Sequence, residues 1–410
     1  MKTANPTFPR AQLPLLLNAL DHYPVVVLMG ARQVGKSTLC RQIAEIRGMA
    51  QVTLDDRASL DEAKSDPQGL LAQGGSNGIY IDEAQRAPGL FLAIKALVDR
   101  ENKPGRYLLS GSNQPRIAGA VGDSLQGRAL YRTLRPLILS ELRLSESHPG
   151  WDFLFDLNDE NILLELRSRA LTSGELDWKD TALVGGFPRA VAAPIDQRLM
   201  LLDNYVQTFA NRDIREILDI ESTDRFESFV RLVATRIGRT VNVAGIANEL
   251  GIAVNTSRRW LDALSRSYLI EQFPAFHKNP SQRVIKASKL YFVDSALALA
   301  AAHESLPTGF HLENLVATDI AVWRELGFGR AAYHWHLASG QEVDFVLELN
   351  GSLVAVEIKA GANIARGDSR HLTKFHEMHS SFRRGLLLSS DPQIRVLAPG
   401  IISAPWWAVL

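Results

Sequence analysis

The segment Gly30-Ala-Arg-Gln-Val-Gly35-Lys36-Ser37 restricts the fold of this chain more than any other. It fits GxxxxGK[ST] at every fixed position, follows the apolar run Val25–Met29 and precedes an amphipathic stretch. That context is strand, phosphate-cradling loop, helix. Glycine lets backbone N–H groups curl around phosphate oxygens. The helix that opens there adds the positive end of its dipole. Around it, short apolar runs at Val25–Gly30, Gln51–Asp55, Gly78–Glu83, Arg106–Gly111 and Leu130–Leu137 alternate with amphipathic stretches. Leu90, Ile94, Leu97 and Val98 recur at helical spacing between two of them. This alternation predicts an α/β unit with a mainly parallel sheet covered on both faces.

The loop predicts a site for ATP with Mg²⁺. Gly30, Ala31, Arg32, Gln33, Val34, Gly35, Lys36, Ser37 and Thr38 form the cradle. Lys36 is expected at the β- and γ-phosphates and Ser37 on Mg²⁺. The run Gly78–Ile81 ends in Asp82-Glu83, where α/β folds bind ligands at the carboxyl ends of strands. Asp82 is the expected Mg²⁺ partner through water and Glu83 the general base for hydrolysis. An acidic helix start is the plain alternative for that pair. Tyr107–Asn113 is another strand with a polar end, and Ser112 or Asn113 would orient water near the γ-phosphate. A capping turn competes with that role.

Composition bounds the rest. A chain of 410 residues implies two or three domains. Its 45 basic residues equal its 45 acidic ones, which argues against a protein devoted to nucleic acid and leaves room only for a local basic surface. Cys40 stands alone, so no intrachain disulfide or thiolate metal cluster can form, and its expected role is packing behind the loop. Arg10 precedes the apolar run Leu13–Leu17, which is too short for a signal sequence or a membrane span. A cytoplasmic protein with no membrane partner is expected.

GARQVGKST, YIDEAQ and LLSGSN, in this order and spacing, resemble the AAA-type ATPases of bacteria and archaea that are fused to a C-terminal domain of unknown function. The resemblance covers nearly the whole chain. It implies that the Ser110 strand lies between the loop strand and the Asp82 strand. It also implies assembly of a homo-oligomeric ring, with an arginine of one subunit completing the next subunit's site. Gly127-Arg128 matches the family's Gly-Arg position, making Arg128 the candidate finger and Arg132 the second; a surface arginine is the alternative.

The expected domains are an AAA-type P-loop ATPase domain over 1–144, a helical linker or lid over 145–222, a winged-helix module over 223–280 and a nuclease-like domain over 281–410. Gly185-Gly-Phe-Pro188 interrupts the helical region as a turn. Val243–Leu250 reads as a helix, Gly251 as a turn, Val254 to about Arg266 as a second helix, and Tyr268–Phe273 as a strand. This resembles a winged helix. Arg258 and Arg259 on its second helix suit DNA phosphates or base edges. A packing role between the ATPase and C-terminal parts is the equal alternative.

Two β-rich runs, Glu342–Leu349 and Ser352–Lys359, flank Asn350-Gly351, the strongest short hairpin signal. A two-residue loop there places Asp344 across from Glu357, with side-chain bases about 5 Å apart. Lys359 shares the face of Glu357. Opposed like charges on strands apolar on both faces call for a cation between them. A divalent metal on Asp344 and Glu357, with Lys359 stabilising developing charge, would supply it. This Asp…Glu-x-Lys pattern resembles the PD-(D/E)xK nucleases, whose further acidic position Glu313 matches; the arginine common in the preceding strand is replaced by His336. The resemblance implies a restriction-endonuclease-like α/β fold. The alternative is an inactive scaffold with Lys359 bridging Asp344 and Glu357.

Two functions follow: a DNA-acting ATPase, or an ATP-dependent switch whose C-terminal part docks a protein partner. A metabolic kinase is disfavoured by the long sequence behind the loop.

Overall fold

The computed structural model describes residues 8–111, 125–144, 150–218, 223–277, 279, 283 and 287–410. The chain divides into two compact units. The first comprises residues 1–137 with the short segments 187–189 and 266–269; the second holds the remainder.

The first unit is built on β1 (Val25–Met29), β2 (Ala50–Thr53), β3 (Ile79–Asp82), β4 (Tyr107–Ser110) and β5 (Ala129–Thr133). Their order is β2-β3-β4-β1-β5, and every pairing is parallel. β4 therefore lies between β1 and β3, as the family resemblance implied. All residues of β1 and β4 are buried, which is why these strands read as unbroken apolar runs. The Lys36–Arg47 helix buries Leu39, Cys40, Ile43 and Ala44, and ends at Gly48 in the left-handed region. Each fully buried leucine or isoleucine of this kind contributes roughly 1.5–3 kcal/mol. Cys40 is buried and unpaired, a packing residue as expected. The Gly89–Glu101 helix buries Leu90, Phe91, Ile94 and Val98.

The second unit contains the helical region, the helix–turn–helix segment and the C-terminal sheet. Val243–Leu250 and Val254–Arg266 are helices, with Gly251 left-handed between them. Leu261 and Leu264 are buried, while Asn255, Arg258, Arg259 and Asp262 are exposed. A small antiparallel sheet follows: β6 (Arg239–Thr240), β7 (Ile270–Phe273) and β8 (Lys289–Phe292), in the order β6-β8-β7.

The larger sheet holds β9 (Arg330–His336), β10 (Glu342–Leu349), β11 (Ser352–Lys359), β12 (Phe382–Ser389), β13 (Arg395–Ala398) and β14 (Ile401–Pro405), in the order β13-β14-β12-β11-β10-β9. β10 and β11 pair through Asn350-Gly351, both at positive φ, with Phe345 across from Val356 and Leu349 across from Ser352. Alternate residues feed two cores. Phe345, Leu347, Val354 and Val356 pack with Leu312, Val316 and Trp323 of the Gly309–Glu325 helix. Val346, Leu353 and Ala355 pack with Leu372 and Phe375 of the Arg370–Met378 helix.

Candidate functional site

The first unit gathers its candidate residues at the carboxyl ends of β1, β3 and β4. Gly30 has φ 146°, and a Cβ there would lie 2.2 Å from the Leu134 carbonyl oxygen, so no other residue fits that close approach. Gly35 has φ 99° and opens the Lys36–Arg47 helix with no side-chain cap. Its N-cap glycine offers the first-turn N–H groups no side-chain acceptor, which suits an anion. The Lys36 side chain is 5% exposed and its ammonium donates to the carbonyls of Gly30 at 3.0 Å and Ala31 at 2.7 Å. Burial lowers its pKa to about 8, partly opposed by the carboxylates of Glu83 and Asp82. A buried cation resting on carbonyls, beside uncapped amides, fits a polyphosphate. Ser37 is half-buried at the first turn and Thr38 exposed beside it.

Asp82 closes β3, and Ser110 at the end of β4 donates its hydroxyl to Asp82 Oδ1. The Tyr80 hydroxyl lies 3.0 Å from Ser110 Oγ. Tyr80, Ser110 and Asp82 form one chain that orients the carboxylate. Ser110 was not legible as part of the site, because a serine ending an apolar run also reads as a plain strand terminus. Glu83 sits at φ 54° and accepts from Gln85 Nε2. A left-handed residue after a strand is strained unless the site holds it, and it re-aims the Glu83 side chain relative to the pleat. Ser37 and Asp82 are the groups that would hold Mg²⁺.

Arg128 is engaged within its own unit: its Nε donates to Asp99 Oδ1 and Nη1 to the Gln126 carbonyl at 3.1 Å. Ser112 and Asn113 lie outside the described residues. Arg258 and Arg259 are exposed on one helix, and Arg258 Nη1 donates to Asn255 Oδ1 at 3.2 Å.

The C-terminal carboxylates are arranged differently from the expectation. Regular β10–β11 pairing begins at Phe345 and Val356, and β10 slips register against β9 between Val343 and Val346. Val343 and Val346 accordingly share one core while Phe345 enters the other. The bulge re-aims Asp344. Asp344 Oδ1 accepts from Lys289 Nζ at 2.7 Å, and Oδ2 accepts from the Ile358 N–H at 2.8 Å. Lys289 also reaches Glu313 Oε2 at 3.1 Å, to which the Tyr291 hydroxyl donates at 2.9 Å. The cation between carboxylates is therefore Lys289, not Lys359, and it bridges Asp344 with Glu313 rather than with Glu357.

Glu357 forms a second centre. Its Oε1 lies 3.0 Å from Lys359 Nζ and 3.5 Å from His371 Nδ1, while its buried Oε2 has no hydrogen-bond partner among the described residues. Burial and the Asp344 charge raise Glu313 to about 7 and Glu357 to about 8. Among the described residues, no three His, Cys, Asp or Glu side chains converge to hold a metal ion. With an ammonium between Asp344 and Glu313, the arrangement does not fit a divalent cation there. A cleft of about 290 Å³ runs beside Lys289, lined by Arg239, Phe310, His336 and Glu342 among others. Lys289 was missed because a lysine opening the run Leu290–Phe292 reads as a strand edge.

Residues 22–143 match the family model described as "AAA domain". The match supports an AAA-type ATPase domain over those residues. Residues 175–308 and 308–405 match two models described only as domains of unknown function. The uncharacterized protein Rv2008c of Mycobacterium tuberculosis is 29% identical over 356 residues, spanning 84% of this chain and 72% of that protein. A Walker-type ATPase of Pyrococcus abyssi is similar at TM-score 0.45 and 15% identity, over 71% of this chain and 94% of that one. The RuvB Holliday junction branch migration motor of Thermotoga maritima is similar at TM-score 0.30 and 18% identity, over 65% of this chain and 90% of that one. Neither likeness to a solved structure carries an assignment. Among the described residues no helix is long and apolar enough to cross a membrane.

Proposed function

We propose that the chain is an ATP-hydrolysing, AAA-type ATPase of the cytoplasm that couples nucleotide turnover to DNA binding or processing. The observation that carries the ATPase reading is the uncapped helix at Gly35 with the buried Lys36 ammonium at its start, facing Asp82 and Glu83. Lys36 and the loop amides bind the β- and γ-phosphates of ATP. Ser37 and Asp82 would hold Mg²⁺, which would neutralise phosphate charge. Glu83 orients and deprotonates the attacking water. An arginine of a neighbouring subunit, Arg128 or Arg132, would complete the site in a ring; Arg128 must first leave Asp99. Arg258 and Arg259 supply the DNA-facing cations of a winged-helix module.

A second reading is favoured by one observation. Lys289 sits between Asp344 and Glu313 and pairs with both, where a metal would otherwise stand. A nuclease-like domain whose acidic pair is so engaged is a docking scaffold for a protein partner, and ATP binding then acts as a switch. Steady-state ATPase assays with Mg²⁺, with and without double-stranded and branched DNA, separate the two. Stimulation by DNA supports the first reading. Turnover indifferent to every DNA form, with no DNA binding, removes it. Absence of ATP affinity in the presence of Mg²⁺ ends both. Metal-dependent cleavage of DNA that Asp344→Ala abolishes would overturn the scaffold assignment.

A further inference from the structure

We propose that Arg10 is a positioning residue of the nucleotide site, holding the phosphate loop open to ATP from its outer side. The proposal rests on the reading of that loop as an ATP site and adds a residue to it. The loop carbonyls of Gly30 and Ala31 are taken up by the Lys36 ammonium, and a buried loop carbonyl outside that contact needs a donor of its own. Arg10 supplies one. Its Nη1 donates to the Val34 carbonyl at 2.9 Å and its Nη2 to the Arg135 carbonyl at 2.5 Å. The guanidinium is a planar fork, so these two bonds fix the loop and the strand-exit wall in one geometry.

Two neighbours show that this wall is built. Gln12 is 2% exposed and donates Nε2 to the Thr133 carbonyl at 2.8 Å. The next residue, Leu134, crowds Gly30 at the loop's first position. Arg10 thus ties the loop's C-terminal half to the same segment that Gly30 already meets with its N-terminal half. The Arg10 guanidinium also lies close to the loop glycine: a Cβ on Gly35 would stand 3.5 Å from Nη1. A loop already ordered has less entropy to lose when the nucleotide binds.

The test compares full-length wild type, Arg10→Ala, Arg10→Lys and Gln12→Ala by Mg·ATP titration, steady-state ATPase kinetics and nucleotide-free melting. Arg10→Ala is expected to raise Kd and KM for ATP about tenfold, with kcat within about threefold of wild type. Arg10→Lys, with one compact donor head, recovers part of that loss. Gln12→Ala, which leaves Val34 tethered, keeps wild-type KM. A merely structural arginine would instead lower the nucleotide-free melting temperature and leave KM unmoved, and that outcome overturns the proposal. Equal KM in wild type, Arg10→Ala and Arg10→Lys overturns it as well, while leaving the ATP reading intact. Wild-type protein with no affinity for ATP overturns both. If Arg10→Ala does not fold, Arg10→Lys with wild-type KM is decisive against.

Discussion

Lys36 and Lys289 are both nearly closed off from solvent, at 5% and 7% exposure, yet their surroundings are opposite. Lys36 rests on two carbonyl oxygens and forms no ion pair among the described residues. Lys289 is clamped between the carboxylates of Asp344 and Glu313. Burial alone disfavours both cations. At Lys36 burial wins and the pKa falls to about 8; at Lys289 the surrounding anionic groups outweigh it and the pKa rises. The difference separates a site that still needs an anion from one that carries its own counter-charges. The first leaves its cation without a carboxylate partner among the described residues, and the second pairs its cation with two.

Five experiments would break or sharpen that contrast. Lys36→Ala is expected to lower ATP turnover about a thousandfold, because it removes the buried ammonium at the start of the loop helix; turnover near wild type would erase the distinction between the two lysines. Lys289→Met should destabilise the second unit by about 3–5 kcal/mol, leaving two buried carboxylates without their cation. Denaturant titration reads this, and Mn²⁺ should restore part of the loss in the variant while doing nothing to wild type. Wild type stabilised by Mn²⁺ would mean that the cluster is a metal site after all. Glu83→Gln should retain ATP binding and lose roughly a hundredfold in turnover, checked by binding and single-turnover assays on the same preparation.

The smallest effect concerns Glu357. Its folded pKa of about 8 lies above the unfolded value, so the folded state binds the extra proton between the two. The protonated carboxyl is favoured at low pH, and stability is lost as pH rises from about 4.5 to 8. Glu357→Gln should flatten that slope and raise stability above pH 8, read by melting at several pH values. The sign is opposite at Lys36. There the folded pKa is depressed, so nucleotide-free stability climbs between about 8 and 10.5. ATP affinity falls over the same interval as the ammonium is lost. Affinity unchanged from pH 7 to 10 would contradict a charged Lys36 at the phosphates.

Local signals carried a large part of the architecture. The strand–loop–helix at Gly30–Ser37, the helix pair around Gly251 and the hairpin at Asn350-Gly351 each announce themselves within a dozen or so residues, because glycine, apolar run and helical spacing act over that range. The placement of Asp82 at the end of β3, with Glu83 following it, was legible for the same reason: an apolar run stops there. Pleat parity also placed Asp344 opposite Glu357, and that is where local reasoning stopped being enough. A bulge set by pairing with β9 turned Asp344 toward another strand.

What the amino-acid order determined by itself was the backbone of each site: which glycines must bend, which strands are buried, and which carboxylates stand at strand ends. What only tertiary structure decided was the partner of each of these cations. Arg10 reaches Val34 and Arg135, and Lys289 reaches Glu313 and Asp344, across separations that no periodicity spans. Electrostatic partners are chosen by distance and desolvation in the folded chain, and neither quantity exists until the sheets have formed.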